Sequence, residues 1–282
     1  MLHPRLTPAR PDLAARHLEG KVAAGRFVDG EAREVIEPQV PLRRLPAPDV
    51  LLDTEALMGE RVTIYETSDE GWAWGQLDAD GYVGFMPANG LAAPGPAPTH
   101  RVSALRTLVF PAPSLKLPPI GALPLGARVA VLRTEGRFAV TASGGCVPVQ
   151  HLASADSREP DFVAVAERFL GTPYLWGGKT SLGLDCSGLV QVALTACGIA
   201  CPRDSDMQAA ALGHAVADDT WRRGDLIFWR GHVAIARDDK TMIHANAFHM
   251  AVAIEPIAEG IARIRQSAGA VTSIRRVAGS VT

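Results

Sequence analysis

Asp185-Cys186-Ser187-Gly188 opens an apolar stretch in which Leu189, Val192, Ala193 and Ala196 recur at helical spacing. That spacing predicts a buried helix with Cys186 in its first turn and Asp185 near its N-cap. Unpaired N–H groups and the positive end of the helix dipole favour thiolate over thiol there, and the thiolate is the attacking species. The same N–H groups can bind an oxyanion developing on an attacked carbonyl. A nucleophilic thiol also needs a base. Downstream, WRRGDLIFWRGHVAIARDDKTMIHANA supplies two imidazoles, His232 and His244. The chemistry expected is acyl transfer through an acyl-enzyme, from an ionised sulfur at the mouth of a groove.

Three short strands, Asp225–Trp229, His232–Ala236 and Met242–Ala245, are expected to carry the histidines, separated by Gly231 and an Asp238-Asp239-Lys240 turn. His232 opens the middle strand and His244 lies in the third, so an antiparallel sheet can bring the rings together. One imidazole as base and a second polar group orienting it is the logic of a catalytic triad. Upstream, Phe162, Val165, Ala166 and Phe169 predict another helix, stopped by Gly171, then a loop with Tyr174, Trp176, Gly177 and Gly178. Cys146, Cys197 and Cys201 are expected to be packed thiols, and His214 and His249 surface residues.

The first half contains two similar segments, Leu57 to Leu91 and Leu123 to Leu152. Gly59-x-Arg61-Val62-x-Ile64 corresponds to Gly126-x-Arg128-Val129-x-Val131, and each copy ends in a proline (Pro87, Pro148) before a closing leucine. Alternating apolar residues bounded by Gly, Asp and Pro predict short strands joined by tight turns, hence two small β-barrels. A Pro-rich linker, Ala92–Pro98, separates them. The expected layout is an N-terminal arm over 1–35, helix-prone and then an irregular strand, β-modules over 36–95 and 96–155, and a chemistry-bearing domain over 156–282.

Composition narrows the classes. Of 282 residues, 47% are hydrophobic and 21% charged, enough for two or three folded domains. With 28 basic and 30 acidic residues, a net charge of −2 and no basic block, nothing attracts nucleic acid or an anionic membrane. No apolar run approaches the roughly 20 residues of a membrane span. The N-terminus lacks the charged-then-apolar order of a secretory signal, so a cytoplasmic location is expected. Four cysteines without a CxxC pair suggest neither a disulfide scaffold nor structural zinc. No metal or cofactor is expected.

The motifs PYLWGG, DCSGLV, PRDSDMQ, GDLIFW with GHVAI, and MIHA, in this order over about 120 residues, resemble the NlpC-type family of papain-like cysteine peptidases. The first repeat, with its GW and GYVG strands, resembles bacterial SH3-like domains, and the second does so more weakly. The resemblance implies an α+β papain-like catalytic domain, helices packed on an antiparallel sheet, preceded by two small all-β SH3-like barrels. It makes Cys186 the nucleophile, His232 the general base and His244 the third, orienting residue. It further implies hydrolysis of the γ-D-glutamyl to diamino-acid bond of peptidoglycan peptides.

The layout is similar to a subgroup that recycles free murein peptides, requires an unblocked N-terminal L-Ala and releases L-Ala-γ-D-Glu. By that similarity Tyr82, Glu55 (with Asp53 close behind), Tyr174, Asp185, Ser187, Asp204 and Ser205 line the substrate site, and the first SH3-like domain is one of its walls. A buried carboxylate that meets the substrate ammonium would reject a blocked amine, which would leave it unpaired. Two other activities share this chemistry: an exported hydrolase of intact cell wall, and a thiol amidase or acyltransferase.

Overall fold

The structure, a computed structural model, describes residues 2–216 and 220–277. The chain forms two compact units, Met1–Ser157 and Arg158–Thr282.

In the first unit, seven strands form one sheet: β1 (Glu31–Val35), β2 (Gln39–Arg43), β3 (Leu52–Leu57), β4 (Arg61–Thr67), β5 (Trp72–Leu77), β6 (Val83–Pro87) and β7 (Leu91–Ala92). Their order is β3-β2-β6-β5-β4-β1-β7. Strand β4 shows why they form: Val62 and Ile64 are buried while the alternate residues Thr63 and Tyr65 are only half-buried, the two-residue period of a strand with one face on the core. Eight shorter strands follow: β8 (His100–Val102), β9 (Arg106–Val109), β10 (Gly121–Pro124), β11 (Arg128–Val129), β12 (Val131–Glu135), β13 (Phe138–Thr141), β14 (Cys146–Pro148) and β15 (Leu152–Ser154). They pair as β11-β8-β15, β9-β10 and β12-β13-β14. Cys146 is a packed thiol here, clustered with Phe110, Phe138 and Val140.

The sequence repeat is also a repeat of conformation. Gly59 and Gly126 both adopt positive φ, +78° and +90°, immediately before the strands that begin at Arg61 and Arg128. Pro87 and Pro148 each precede a single 3-10 turn with nearly the same angles, φ −57° and ψ 122° against φ −55° and ψ 125°. Leu91 and Leu152 leave those turns in extended geometry.

The helix-prone arm is corrected by the structure. Residues 2–30 hold one 3-10 turn, Arg16–Leu18, and a two-stranded parallel pair, Ala14–Ala15 with Phe27–Val28, but no α-helix. Prolines at 4, 8 and 11 interrupt a helical hydrogen-bond ladder, while Leu13, Ala14 and Ala15 are fully buried. The Arg5 carbonyl accepts from the Val83 N–H at 2.9 Å, which ties the segment to β6. Strand β1 falls within the expected arm, yet it pairs with β4 and β7 inside the first sheet.

The second unit is α+β. Helices α1 (Phe162–Glu167), α2 (Cys186–Ala196), α3 (Ser205–Ala211) and α4 (Ile257–Ala268) accompany a six-stranded antiparallel sheet. Its strands are β16 (His214–Ala215), β17 (Asp225–Trp229), β18 (His232–Ala236), β19 (Thr241–Asn246), β20 (Ala251–Pro256) and β21 (Ser273–Arg276), ordered β16-β21-β17-β18-β19-β20. Every residue of β17 is buried, so after Asp225 its LIFW run reads as continuously apolar rather than alternating. Ile227, Trp229, Ala234, Ala236 and Met242 form one core layer with Ile257 and Ile264 of α4. Helix α2 packs against β18 and β19, the strands that carry both histidines.

Candidate active site

Cys186 is the first residue of α2, held there by its neighbour. Asp185 has extended geometry, φ −96° and ψ −179°, and its Oδ1 accepts from the Gly188 N–H at 2.7 Å, an N-cap in the ordinary sense. The carboxylate also accepts from the Gly177 N–H (2.8 Å), from the Ser187 hydroxyl (3.2 Å) and, through both oxygens, from Arg203 (2.9 and 2.8 Å). Arg203 is 1% exposed, gives further hydrogen bonds to Ser187 Oγ (2.9 Å) and the Gly178 carbonyl (3.2 Å), and remains a cation because Asp185 outweighs the cost of burial. The polar atoms of Asp185 and Ser187, expected to meet substrate, are thus engaged with Arg203 beneath the start of α2.

The backbone at Val233 and at Ser187 favours the ionised form of the Cys186 sulfur. Val233 directly follows His232, so the thiol and the imidazole hang from neighbouring points of α2 and β18. Cys186 is only 7% exposed, and burial, followed by the nearby Asp185 charge, pushes its thiol up to about 12. The sulfur expected at the mouth of a groove is enclosed instead, and burial disfavours its ionised form. A helix N-terminus contributes only a few tenths to about 2 kcal/mol, less than the desolvation of a thiolate at this depth.

His232 and His244 are brought together. Their rings contact edge-on, with centroids 5.0 Å apart, and His232 Nε2 lies 2.8 Å from His244 Nδ1. The register explains this: Ile235 pairs with Ile243 and Ala236 with Met242, so His232 and His244 share a face at diagonal positions. Burial, then the adjacent His244 and Arg263, depresses His232 to about 3. His244 is 1% exposed and is likewise lowered, chiefly by burial, against the opposing pull of Glu255. Both imidazoles are neutral at pH 7. Burial thus biases the Cys186 thiol and both imidazoles toward their uncharged forms.

The remaining candidates lie as follows. Tyr174 is half-buried in the loop before α2, its N–H bonded to the Met250 carbonyl (3.0 Å), and its phenol is raised by burial and by the neighbouring Cys186 and Asp185. Asp204 occupies the N-cap position of α3 without its side chain capping the helix, and Ser205 begins that helix. In the first unit, Tyr82 is buried at the β5–β6 hairpin, its N–H bonded to Asp80 (3.0 Å). Glu55, on β3, is 4% exposed and accepts from the Gln39 side chain at 3.0 Å; Asp53 pairs with Arg44. Cys201 is buried, His214 is exposed, and His249 is exposed with its Nδ1 3.0 Å from Asn246 Oδ1.

Two charged residues were not singled out from the sequence. Arg203 stands inside the PRDS motif, where an arginine beside an acidic residue was a visible signal. Glu255 had a weaker one, a lone carboxylate closing the apolar AVAIEP strand; its Oε1 lies 2.6 Å from His244 Nε2 and also accepts from Arg263.

A cysteine at the head of a helix, packed against an antiparallel sheet that presents a hydrogen-bonded histidine pair, defines a papain-like cysteine peptidase domain. Comparison with known proteins agrees. Residues 171–268 match the NlpC/P60 family, and residues 42–91 match the bacterial dipeptidyl-peptidase SH3 domain. The chain carries an NlpC/P60 domain behind such an SH3 domain and is a cysteine peptidase of this type. It is 29% identical to a gamma-D-glutamyl-L-lysine dipeptidyl-peptidase of Bacillus cereus, covering 73% of this chain and 71% of that one. To the protein of the same name from Bacillus subtilis it is 31% identical over 64% of this chain and 65% of the relative. The crystal structure of an NlpC/P60 family protein from Bacillus cereus shares its fold, with a TM-score of 0.72 at 22% identity, covering 87% of this chain and 99% of that one.

Proposed function

We propose that this enzyme hydrolyses the γ-D-glutamyl to diamino-acid bond of peptidoglycan peptides, with Cys186 as nucleophile, His232 as general base and His244 orienting His232. The observation that supports the assignment is Cys186 at the head of α2, a helix packed on β18 and β19, the strands whose His232 Nε2 and His244 Nδ1 lie 2.8 Å apart. As the sulfur attacks the γ-carbonyl, its proton passes to His232 and a tetrahedral oxyanion forms at the N-terminal end of α2, where the helix dipole is positive. Collapse breaks the C–N bond, and His232 returns the proton to the leaving diamino-acid nitrogen. Water, deprotonated by His232, then cleaves the thioester and releases the γ-D-glutamyl product.

In the same reading the substrate is a free murein peptide with an unblocked N-terminal L-Ala, the product is L-Ala-γ-D-Glu, and the role is recycling in the cytoplasm. The names of the Bacillus relatives, dipeptidyl-peptidases acting at a γ-D-glutamyl-L-lysine bond, support a dipeptide product. Tyr174, Asp204 and Ser205 of the peptidase domain are the residues we assign to the substrate. An ammonium entering an enclosed pocket must find a carboxylate there.

The test is product analysis with L-Ala-γ-D-Glu-meso-diaminopimelate, its L-Lys counterpart, the N-acetylated tripeptide and intact cross-linked sacculus. Release of L-Ala-γ-D-Glu from the free tripeptides alone supports the proposal. Preference for sacculus makes the enzyme a wall hydrolase, and partition of the acyl group to added amines or alcohols makes it an acyltransferase.

A further inference from the structure

We infer that Glu255 is a positioning residue for this reaction, acting through His244 to decide which nitrogen of His232 serves as the base. The inference rests on the assignment of Cys186, His232 and His244 above. Met242 pairs with Glu255 and His244 with Ala253, so Glu255 lies on the same sheet face as His244, two residues along β20. Its Oε1 receives both His244 Nε2, at 2.6 Å, and the Arg263 guanidinium. Its side chain is 11% exposed, and although burial opposes ionisation, the bonds from His244 and Arg263 hold the carboxyl below its ordinary range.

A hydrogen-bond chain follows. An ionised carboxylate only accepts, so His244 must carry its hydrogen on Nε2. His244 Nδ1 is then a lone pair and can only accept, so the hydrogen in the 2.8 Å contact belongs to His232 Nε2. That leaves Nδ1 of His232 as the nitrogen able to take the thiol proton. Without Glu255, His244 could hold either tautomer, and one of them would turn a donor toward His232 Nε2 and place the lone pair of His232 on the wrong side.

The surroundings of Glu255 are built for this contact. Residue 260 of α4 is glycine, and a Cβ there would stand 2.0 Å from Met242 Cε and 3.1 Å from Glu255 Cδ. Glycine is unfavourable within a helix relative to alanine, and here it lets α4 seat against β19 and β20 with Arg263 one turn further on. Arg263 is pinned from its other side, its guanidinium carbon 4.3 Å from the Phe248 ring centroid.

Glu255 also supplies charge. When His232 takes the proton it becomes a cation, favoured by Glu255 and by Asp185 at the head of α2, and opposed by His244 and Arg263. His249 and Arg263 act in the same opposing sense on His244. Removing the Glu255 charge therefore makes His232 harder to protonate.

The experiment is a 15N–1H spectrum of the full chain labelled at histidine, together with kcat and KM against pH. In the wild type at pH 7, His232 and His244 should both carry hydrogen on Nε2. Glu255→Gln keeps an oxygen where the two donors converge but loses the charge: the tautomers should persist, kcat should fall several-fold, and the acid limb of kcat/KM should move to lower pH. Glu255→Leu loses both oxygen and charge: His244 should become a tautomer mixture and kcat should fall by about 10-fold or more beyond the Gln variant, with KM little changed. Hydrogen on His244 Nδ1 in the wild type overturns the inference, as does a Glu255→Gln profile superimposable on the wild type. Should Glu255→Leu fail to fold, the wild-type spectrum and Glu255→Gln still decide. The spectra need no substrate, so they read Glu255 even if the proposed reaction proves wrong.

Discussion

His232 Nε2 and His244 Nδ1 lie 2.8 Å apart, and that hydrogen bond couples a half-buried imidazole on β18 to one that is 1% exposed on β19. The deeper ring is fixed in place and the shallower one is aimed by it. Sequence separation alone, 12 residues, says nothing of this contact; the strand register creates it.

Replacing the three residues should produce graded losses. Cys186→Ala should abolish cleavage of L-Ala-γ-D-Glu-diaminopimelate, a loss of about 10⁴-fold or more, and shift stability by no more than about 1 kcal/mol. His232→Ala should cost nearly as much, and His244→Ala about 10²–10³-fold, because water can partly replace an orienting group. Turnover by Cys186→Ala close to the wild type would remove the mechanism.

Thiol reactivity follows from the enclosed sulfur. With the thiol raised to about 12, thiolate is scarce near neutral pH, and alkylation of Cys186 by iodoacetamide should climb steadily from pH 7 to pH 10 without a plateau. A plateau already present at pH 8, followed by mass spectrometry of the modified peptide, would show that the site holds an ion pair instead.

Acid should destabilise the fold through its buried imidazoles. The unfolded chain protonates His232 near its ordinary value of 6.5, whereas the native protein resists until about 3. Between those values the unfolded state binds more protons, so stability is fully present above pH 6.5 and declines as pH falls, by up to about 1.4 kcal/mol per pH unit for one such group. His244 is lowered too and steepens the decline, while carboxylates held low, Glu255 and Glu167 among them, contribute only below about 4.5. Urea midpoints between pH 5 and pH 7 should show the slope, and His232→Gln should flatten it. Equal slopes in the two proteins would contradict the assignment.

The Asp185–Arg203 pair should matter for the site more than its distance from the chemistry suggests. Arg203→Met leaves a buried carboxylate without its cation and should destabilise the protein by about 3–5 kcal/mol in denaturant titration. Arg203→Lys should recover only part of this, since one ammonium cannot span both carboxylate oxygens. A variant as stable as the wild type would mean that the N–H groups of Gly177 and Gly188 satisfy Asp185 unaided.

Much of the site was legible because its signals are local. An Asp-Cys-Ser-Gly run ahead of an apolar helical face fixes the N-cap and hence the place of the cysteine within a turn, and Asp185 caps Gly188 as expected. The strands Asp225–Trp229 and His232–Ala236 carry their own apolar pattern and turn residues, and they form with those bounds. The first 30 residues misled because prolines and full burial, not local propensity, decide their path.

The amino-acid sequence by itself determined the helix that Cys186 opens, the strands that carry the histidines and the doubled β-module, since each is written in local spacing, caps and turns. Only the tertiary structure decided that Glu255 reaches His244, that Arg203 bonds Asp185 and that the Cys186 sulfur is enclosed. Those facts depend on strand register and on how far water is excluded, and both are set by packing between segments distant in the chain.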